Sequence, residues 1–504
     1  VTAANPTDER LHRFLTDVRR ELGPDAVSDS PEVRTRYGDS ELPSGPCLPA
    51  AVAYPRNTAE VQTMVRLASR HVVPLHAIST GQNVGLGNSV AVAPGTVTLD
   101  LGRHLDRILE FDDRLNYVVV EPGVSYAALA AFLVDRGDHL MCDTTSGPPT
   151  GGPLGNTLDK GGGYTPAADH FGNSCGLEVV LGDGRVLRTG DGASPDSRTW
   201  HIAKYGFGPV LDGLFLQSNL GIVTRMGIWL MPRPPVIRSF FFIFPDDDDI
   251  AEIVEIARTL KFSGLVPTAI KATGDLYSLA SHIPYPDLPR PLTTQLRRDL
   301  HREHDVGAWI VSGALYGSSE ESIAPALDRV RSLFTDSGKG RFIDHDEALE
   351  RPELKIHIDT YSGRPTETET AMVDWRGGGI VSLTPATPMI GEVALEHQRL
   401  SRRILDEHGL DTCIDYIFAG RASRGLHSIL FDPSDPQECA DVTAASAALR
   451  DEYRRIGYPV GRAPADMQVE EMSHRDEVFR EVLHQLKGVF DPNRILSPGR
   501  YGMH

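Results

Sequence analysis

Glycine is packed into three short stretches of this 504-residue chain, and no other feature restricts its fold so strongly. They read STGQNVGLG at Ser79–Gly87, GPPTGGPLGN at Gly147–Asn156 and GGGYTP at Gly161–Pro166. A residue without Cβ lets backbone N–H groups approach a ligand closely, and successive amides form the anion-binding concavity that a diphosphate needs. Taken singly, each loop reads as a tight turn. Taken together, they point to the cradle of a large phosphorylated cofactor.

The usual nucleotide signatures are missing. The first loop follows a strand pattern, yet no G-x-G-x-x-G opens a helix with an acidic residue about twenty positions on, and no G-x-x-x-x-G-K-[ST] occurs. Lysine plus arginine number 50 against 69 aspartates and glutamates, a balance of −19 that repels phosphate backbones and anionic lipid, so neither nucleic acid nor a membrane is expected as a partner. No run approaches the ~18 apolar residues of a membrane span, which with the charged start predicts a cytoplasmic protein. The five cysteines (Cys47, Cys142, Cys175, Cys413, Cys439) lack C-x-x-C spacing, so buried thiols are expected rather than disulfides or a metal site.

Composition, with 40% apolar and 24% charged residues, is that of a globular chain of two or more domains. Asn5 and Pro6 predict the start of an amphipathic helix carrying Leu11, Phe14, Leu15, Val18 and Leu22. Asn57 with Glu60 predicts a second helix ending near His71. Short β-type runs follow at Pro74–Ile78, Thr96–Leu101 and Tyr117–Glu121, with a helical pattern over Ser125–Arg136. LEVVL, Gly182-Asp183-Gly184 and RVLRT predict a hairpin over Leu177–Thr189. Gly221–Met231 reads as a long strand broken by Pro232, Pro234 and Pro235, which places a domain boundary there. Beyond it come FFFIF at Phe240–Phe244, four aspartates at Asp246–Asp249 read as a solvated helix start, and alternating strands and helices to about Tyr458. The expected class is a mixed α/β, α+β fold. The turn-rich DPNRILSPGRYG near the C-terminus is expected to dock onto something.

At this level of detail the chain resembles the flavoproteins related to vanillyl-alcohol oxidase, eugenol oxidase and p-cresol methylhydroxylase. The matching stretches, in family order over nearly the whole length, include ISTGQNVGLGN (Ile78–Asn88), VVEPGVSY (Val119–Tyr126), LGNTLDKGGGYTPAADH (Leu154–His170), YGFGPVLDGLFLQSNLGIVTRMGIWLMPRP (Tyr205–Pro234) and DPNRILSPGRYG (Asp491–Gly502). The resemblance implies a PCMH-type FAD-binding domain built from residues 1–235 plus 459–504, and an α+β cap over the flavin from residues 236–458. Carried over by position, Ser79, Thr80, Gly81, Gln82, Asn83, Val84, Gly85, Gly87 and Asn88 would cradle the FAD diphosphate. Pro122, Gly147, Gly155, Asn156, Gly161, Tyr164, Thr165 and Pro166 would line the cofactor, with Gln217, Ser218, Asn219, Gly221 and Val223 adding backbone contacts. Arg500 matches a basic position that would stabilise the anionic reduced ring; its alternative is a surface arginine.

Four departures from the family pattern matter. The cap-domain histidine that bonds covalently to flavin is absent, with Gly379 and Ile380 at the candidate positions, so dissociable FAD is expected. Two tyrosines that clamp a phenolate are replaced by Leu86 and Gly461, leaving Arg462 alone, which weakens phenolate binding and enlarges the pocket. Arg462 could instead grip a carboxylate or carbonyl. The acidic residue usually near flavin N5 is replaced by Ser146 or Gly147. Replacement bases come from Tyr164, Asp169, His170 and His427, the last suited by its usual pKa to proton abstraction and otherwise a structural histidine. Asp169 and His170 could equally orient the cofactor.

The function expected is hydride transfer from an alcohol, benzylic or amine carbon of a small molecule to flavin N5, with oxygen or another acceptor reoxidising the flavin. Two alternatives stand beside it. One is a conventional 4-alkylphenol oxidase whose contacts are rebuilt from residues such as Tyr416 or Tyr458. The other is a non-redox flavoprotein using FAD as a scaffold. Resemblance also implies a homo-oligomer.

Overall fold

Asn57 caps its helix as expected: its side chain accepts the Glu60 N–H at 3.0 Å, and the helix Thr58–His71 buries Val61, Met64, Val65 and Ala68. The computed structural model describes residues 8–504, so Asn5 and Pro6, expected to open the first helix, lie outside it; that helix is described over Asp8–Leu22. Both helices pack on a four-stranded sheet in the order Val27–Ser28, Ala51–Ala53, Val97–Asp100, Leu75–Ile78, whose last three strands run parallel. Those strands carry short apolar runs buried on both sides, as a covered parallel sheet requires.

A five-stranded antiparallel sheet follows, in the order Ile108–Asp112, Tyr117–Val120, Ile222–Trp229, Ser174–Val180, Val186–Arg188. The expected hairpin is its edge, and Gly184 supplies the positive φ (84°) that its turn demands. Helix Tyr126–Asp135, capped by Ser125, covers one face.

The third sheet has eight antiparallel strands, all drawn from residues 236–431. Its order is Arg341–Ile343, Val236–Phe244, Trp309–Gly317, Ile270–Gly274, Cys413–Phe418, Ala422–Phe431, Gly379–Leu383, with Ala386–Pro388 also paired to Ala422–Phe431. The FFFIF run is continuous because both faces are covered. Phe240, Phe242 and Phe244 face helix Ile250–Phe262, while Phe241 and Ile243 face the layer that holds Leu276, Ile380 and Leu430. The four aspartates are not simply a solvated helix start. Asp246 and Asp249 form a capping box, but Asp247 pairs with Arg297 and Arg402, and Asp249 with Lys339.

The C-terminal segment docks onto the parallel sheet. Leu75 donates its N–H to Ile495 O at 2.7 Å, and Ser497 donates to Leu75 O at 2.6 Å. Buried Lys487 donates to Asn219 O and Leu496 O, each at 2.8 Å, and pairs with Asp491. All five cysteines are free, and no helix among the described residues is long and apolar enough to cross a membrane.

Candidate functional site

Where the parallel sheet, the five-stranded sheet and the C-terminal segment meet, they enclose one long groove. Ser79, Thr80, Gly81, Gln82, Asn83 and Asn88 line one wall. Pro122, Gly147, Gly155 and Asn156 line the next, with Gln217, Ser218, Asn219, Gly221 and Val223 opposite and Arg500 at one side. Four non-glycine residues of this lining hold left-handed backbone: Asn88 (φ 45°), Gln217 (φ 44°), Ser497 (φ 38°) and Tyr501 (φ 53°). Such conformations persist only where the surroundings impose them, and they gather at ligand clamps.

A second cavity lies between the glycine loops and the eight-stranded sheet, and it shares Gln82, Asn83, Thr145, Gly147, Pro148 and Asn156 with the groove. Leu86, Ile380, Ser146, Tyr164 and Arg462, all expected here, line it. The Tyr164 hydroxyl is hydrogen-bonded to Ser146 Oγ. Gly461 adjoins the cavity through Arg462 and donates its N–H to Thr384 O at 2.9 Å.

Several expected residues are elsewhere. His427 is wholly buried behind the sheet, because Arg424, Leu426 and Ser428 of its strand face the cavity and alternation turns His427 away. Its Nδ1 lies 2.9 Å from Tyr453 Oη, it packs against His397 and Tyr416, and burial drives its pKa far below the usual imidazole value. His427 therefore lines neither cavity. Tyr416 fails for the same reason of parity: its neighbour Ile417 lines the cavity, while Tyr416 packs with Trp309 and Phe418 on the other face. Asp169 is exposed and accepts the Gly172 N–H at 2.8 Å, a turn cap. His170 lines neither cavity; its ring bridges Asn156 Oδ1 (2.7 Å) and Asp143 Oδ2 (2.8 Å), so it orients a lining residue.

Within the loops the division is finer than expected. Val84 lines the second cavity rather than the groove. Gly85, Gly87, Gly161 and Thr165 line neither and shape the walls instead. A Cβ on Gly85 would sit 2.1 Å from Ser382 Oγ, and one on Gly161 would sit 2.3 Å from the Asn156 amide. Thr165 donates its N–H to Asp143 Oδ1 at 2.8 Å.

Three carboxylates brace the site, Asp159 from the groove lining itself, and none was anticipated. Asp159 accepts from Arg462 Nη2 (2.7 Å), Asn83 Nδ2 (3.1 Å) and Tyr501 Oη (2.9 Å). Burial alone would raise its pKa, but Arg462, Arg500 and these hydrogen bonds bring it below the ordinary value. Glu41 accepts the Gly85 N–H at 2.7 Å and the Asn88 amide; burial lifts its pKa to about 7 against the pull of the Gly85 and Gly87 N–H groups. Asp143 collects the Tyr164 and Thr165 N–H groups and His170.

Comparison with known proteins fits this geometry. Residues 49–190 match the family model described as FAD binding domain. Over 504 aligned residues the chain is 34% identical to the 4-cresol dehydrogenase [hydroxylating] flavoprotein subunit of Pseudomonas putida, covering 99% of this chain and 96% of that one. The chain belongs to the p-cresol methylhydroxylase and vanillyl-alcohol oxidase family. A second family relative, the 1'-carboxy-chondrochloren decarboxylase of Chondromyces crocatus, is 32% identical, with 97% of each chain covered. The 4-ethylphenol oxidase from Gulosibacter chungangensis, solved with isoeugenol, superposes with a TM-score of 0.96 at 32% identity, over 100% of this chain and 99% of that one. As a member of this family the protein is an FAD-dependent oxidoreductase acting on CH or CH–OH groups, with the PCMH-type fold.

The groove has the features FAD requires. Asn88 Oδ1, Asn219 Oδ1 and Tyr126 Oη, all on groove residues, are buried without a hydrogen-bond partner among the described residues. Such groups are costly unless a ligand satisfies them. A Cβ on Gly155 would lie 2.3 Å from Ser79 Oγ, so the wall there admits only bare backbone. Arg500 adds the cation beside it.

Proposed function

We propose that the second cavity is the substrate site, and that the enzyme oxidises an alcohol, benzylic or amine carbon of a small molecule other than a simple para-alkylphenol. The observation that carries this is the shared wall. Gln82, Asn83, Gly147 and Asn156 line both cavities, so a ligand in one abuts a ligand in the other. When bound, FAD supplies the hydride acceptor at N5. The chain's own residues then orient the substrate and move its proton. Tyr164 is a hydroxyl on the cavity wall that can hydrogen-bond a substrate O–H and, as tyrosinate, accept its proton, with Ser146 as its hydrogen-bonded neighbour. Arg462, fixed by Asp159, holds a substrate oxygen at the junction. Leu86 and Gly461 in place of hydroxyl donors favour a bulkier, less acidic substrate. One relative is named for hydroxylating a cresol and another for removing a carboxy group, which supports a family scaffold that accepts varied substituents.

FAD is taken to be held without a covalent bond, since Ile380 and its neighbour Gly379 offer no nucleophile. Reoxidation falls to oxygen or another acceptor, and the protein is taken as a homo-oligomer in the cytoplasm. The residues divide into an FAD-binding unit, 1–235 plus 459–504, and a cap, 236–458.

Anaerobic mixing of the purified protein with a panel of aromatic and allylic alcohols, followed at the flavin band, tests the redox reading. Bleaching is expected with at least one alcohol, and Tyr164→Phe should slow it about a hundredfold or more without changing flavin content. A product of unchanged mass with no bleaching would exclude it. Acid precipitation should leave the yellow colour in the supernatant; colour in the pellet would mean a covalent anchor.

A further inference from the structure

Among the described residues lining the second cavity there is no aspartate or glutamate, yet there are two arginines, Arg424 and Arg462. Arg462 is already engaged, donating to Asp159 from the groove side. Arg424 is different. Its strand, Ala422–Phe431, turns it to the cavity face beside Leu426 and Ser428, and Gly162 opposite makes room, since a Cβ there would lie 3.1 Å from Arg424 Nη1. Its guanidinium has no ion-pair or hydrogen-bond partner among the described residues, and its side chain is exposed; a carboxylate within electrostatic reach, Asp169, caps a turn outside the cavity.

An arginine left without a hydrogen-bond partner on a cavity wall is free to grip an anion that enters. Arg462 and Arg500 share one carboxylate, Asp159, on the groove side, and buried Lys271, beside Tyr164 and Tyr277, is paired with Asp415 at 3.2 Å. The remaining lining is mixed: Val84, Leu86, Met372 and Ile417 make an apolar patch, and amides and hydroxyls such as Asn83 and Tyr277 line the rest. A planar fork of donors beside an apolar patch is an arrangement that recognises a carboxylate on a hydrophobic body.

We infer that the substrate carries a carboxylate, held by Arg424 with Arg462, and an apolar, aromatic-sized body lodged among Val84, Leu86 and Met372. The inference rests on the reading of this cavity as the substrate site. It assigns Arg424 to the substrate rather than the cofactor, and an Arg424 serving only FAD would not distinguish an acid from its amide.

The test titrates the FAD-loaded protein with matched pairs, 3-phenylpropionate and 3-phenylpropionamide, cinnamate and cinnamamide, 4-hydroxyphenylacetate and its amide, reading the shift of the flavin band. In at least one pair the acid should bind about tenfold tighter or more, a charge-assisted hydrogen bond being worth that much. Arg424→Met should abolish the preference. Arg424→Lys, which keeps the charge but loses the fork, should retain part of it, and serves if the methionine variant fails to fold. Added KCl should weaken the acid and not the amide. Amides binding as tightly as acids, no acid shifting the band below about 10 mM, or a preference that survives in Arg424→Met would each overturn the proposal. A flavin that neutral alcohols bleach while acids show no preference would overturn the carboxylate alone. A protein that takes up no FAD would overturn the site reading itself.

Discussion

Arg462 Nη2 meets Asp159 Oδ2 at 2.7 Å, joining the segment after the eight-stranded sheet to the turn that ends the helix Pro153–Leu158. Asp159 is buried, so removing its charge strands Arg462. Asp159→Asn is expected to cost about 3 kcal/mol at pH 7, the usual scale for breaking a buried pair. Because its folded pKa is depressed, this contribution is present above the unfolded value of about 4 and is lost as pH falls through the folded value. Denaturant melts should therefore show the gap between wild type and variant closing below about pH 4.

His427 offers a second test, because geometry and chemistry make opposite demands on it. Buried and neutral, it resists the proton that the unfolded chain accepts near pH 6.5, so it destabilises the fold as pH drops below that value. His427→Gln should reduce the acid-side loss of stability by up to about 1.4 kcal/mol per pH unit. The pH profile of kcat/KM should stay where it was; a displaced profile would return His427 to the active site.

Glu41 acts with the opposite sign. Its folded pKa, raised to about 7, means that its contribution is fully present below the unfolded value and is lost as pH rises through 7. Glu41→Gln removes that titration. Between pH 5 and 8 the wild-type Tm should fall more than that of the variant, and FAD retention should follow the same trend, since Glu41 holds the Gly85 end of the first loop.

The missing phenolate clamp can be rebuilt. A Cβ on Gly461 would meet only Thr384 O, at 3.5 Å, so a side chain is accommodated there, and Leu86 already faces the cavity. The double variant Leu86→Tyr, Gly461→Tyr adds two donors beside Arg462, each worth about 1.5–3 kcal/mol to an anion. The Kd for 4-ethylphenol, read from the flavin band, should tighten at least tenfold; an unchanged Kd would mean that Arg462 does not face the phenol oxygen.

The groove was legible in the sequence because glycine density and strand patterns are local signals. Ser79, Gly81, Gly155 and Asn156 reach it by backbone approach, which composition records. The wall of the second cavity was less legible, because it depends on strand parity. His427 and Tyr416 were each one residue away from a lining position, and one residue turns a side chain to the other face. Arg424 carried no local mark; only the pairing of Ala386–Pro388 and Cys413–Phe418 against its strand sets it over the cavity. Asp159, Glu41 and Tyr501 were invisible because their partners lie far along the chain: Tyr501 is 342 positions from Asp159.

The same separation governs how the protein is made. His76 and Ser497, both on the groove wall, are 421 positions apart, and the strand that begins at Leu75 gains its last neighbour only at Leu496. A ribosome must deliver the whole eight-stranded sheet before that neighbour exists. Until then the groove lacks the side that Leu496, Ser497, Arg500 and Tyr501 supply. Completion of the groove is thus a late event of biosynthesis, reached only when residues 496–501 have left the ribosome, however completely the first two sheets have folded.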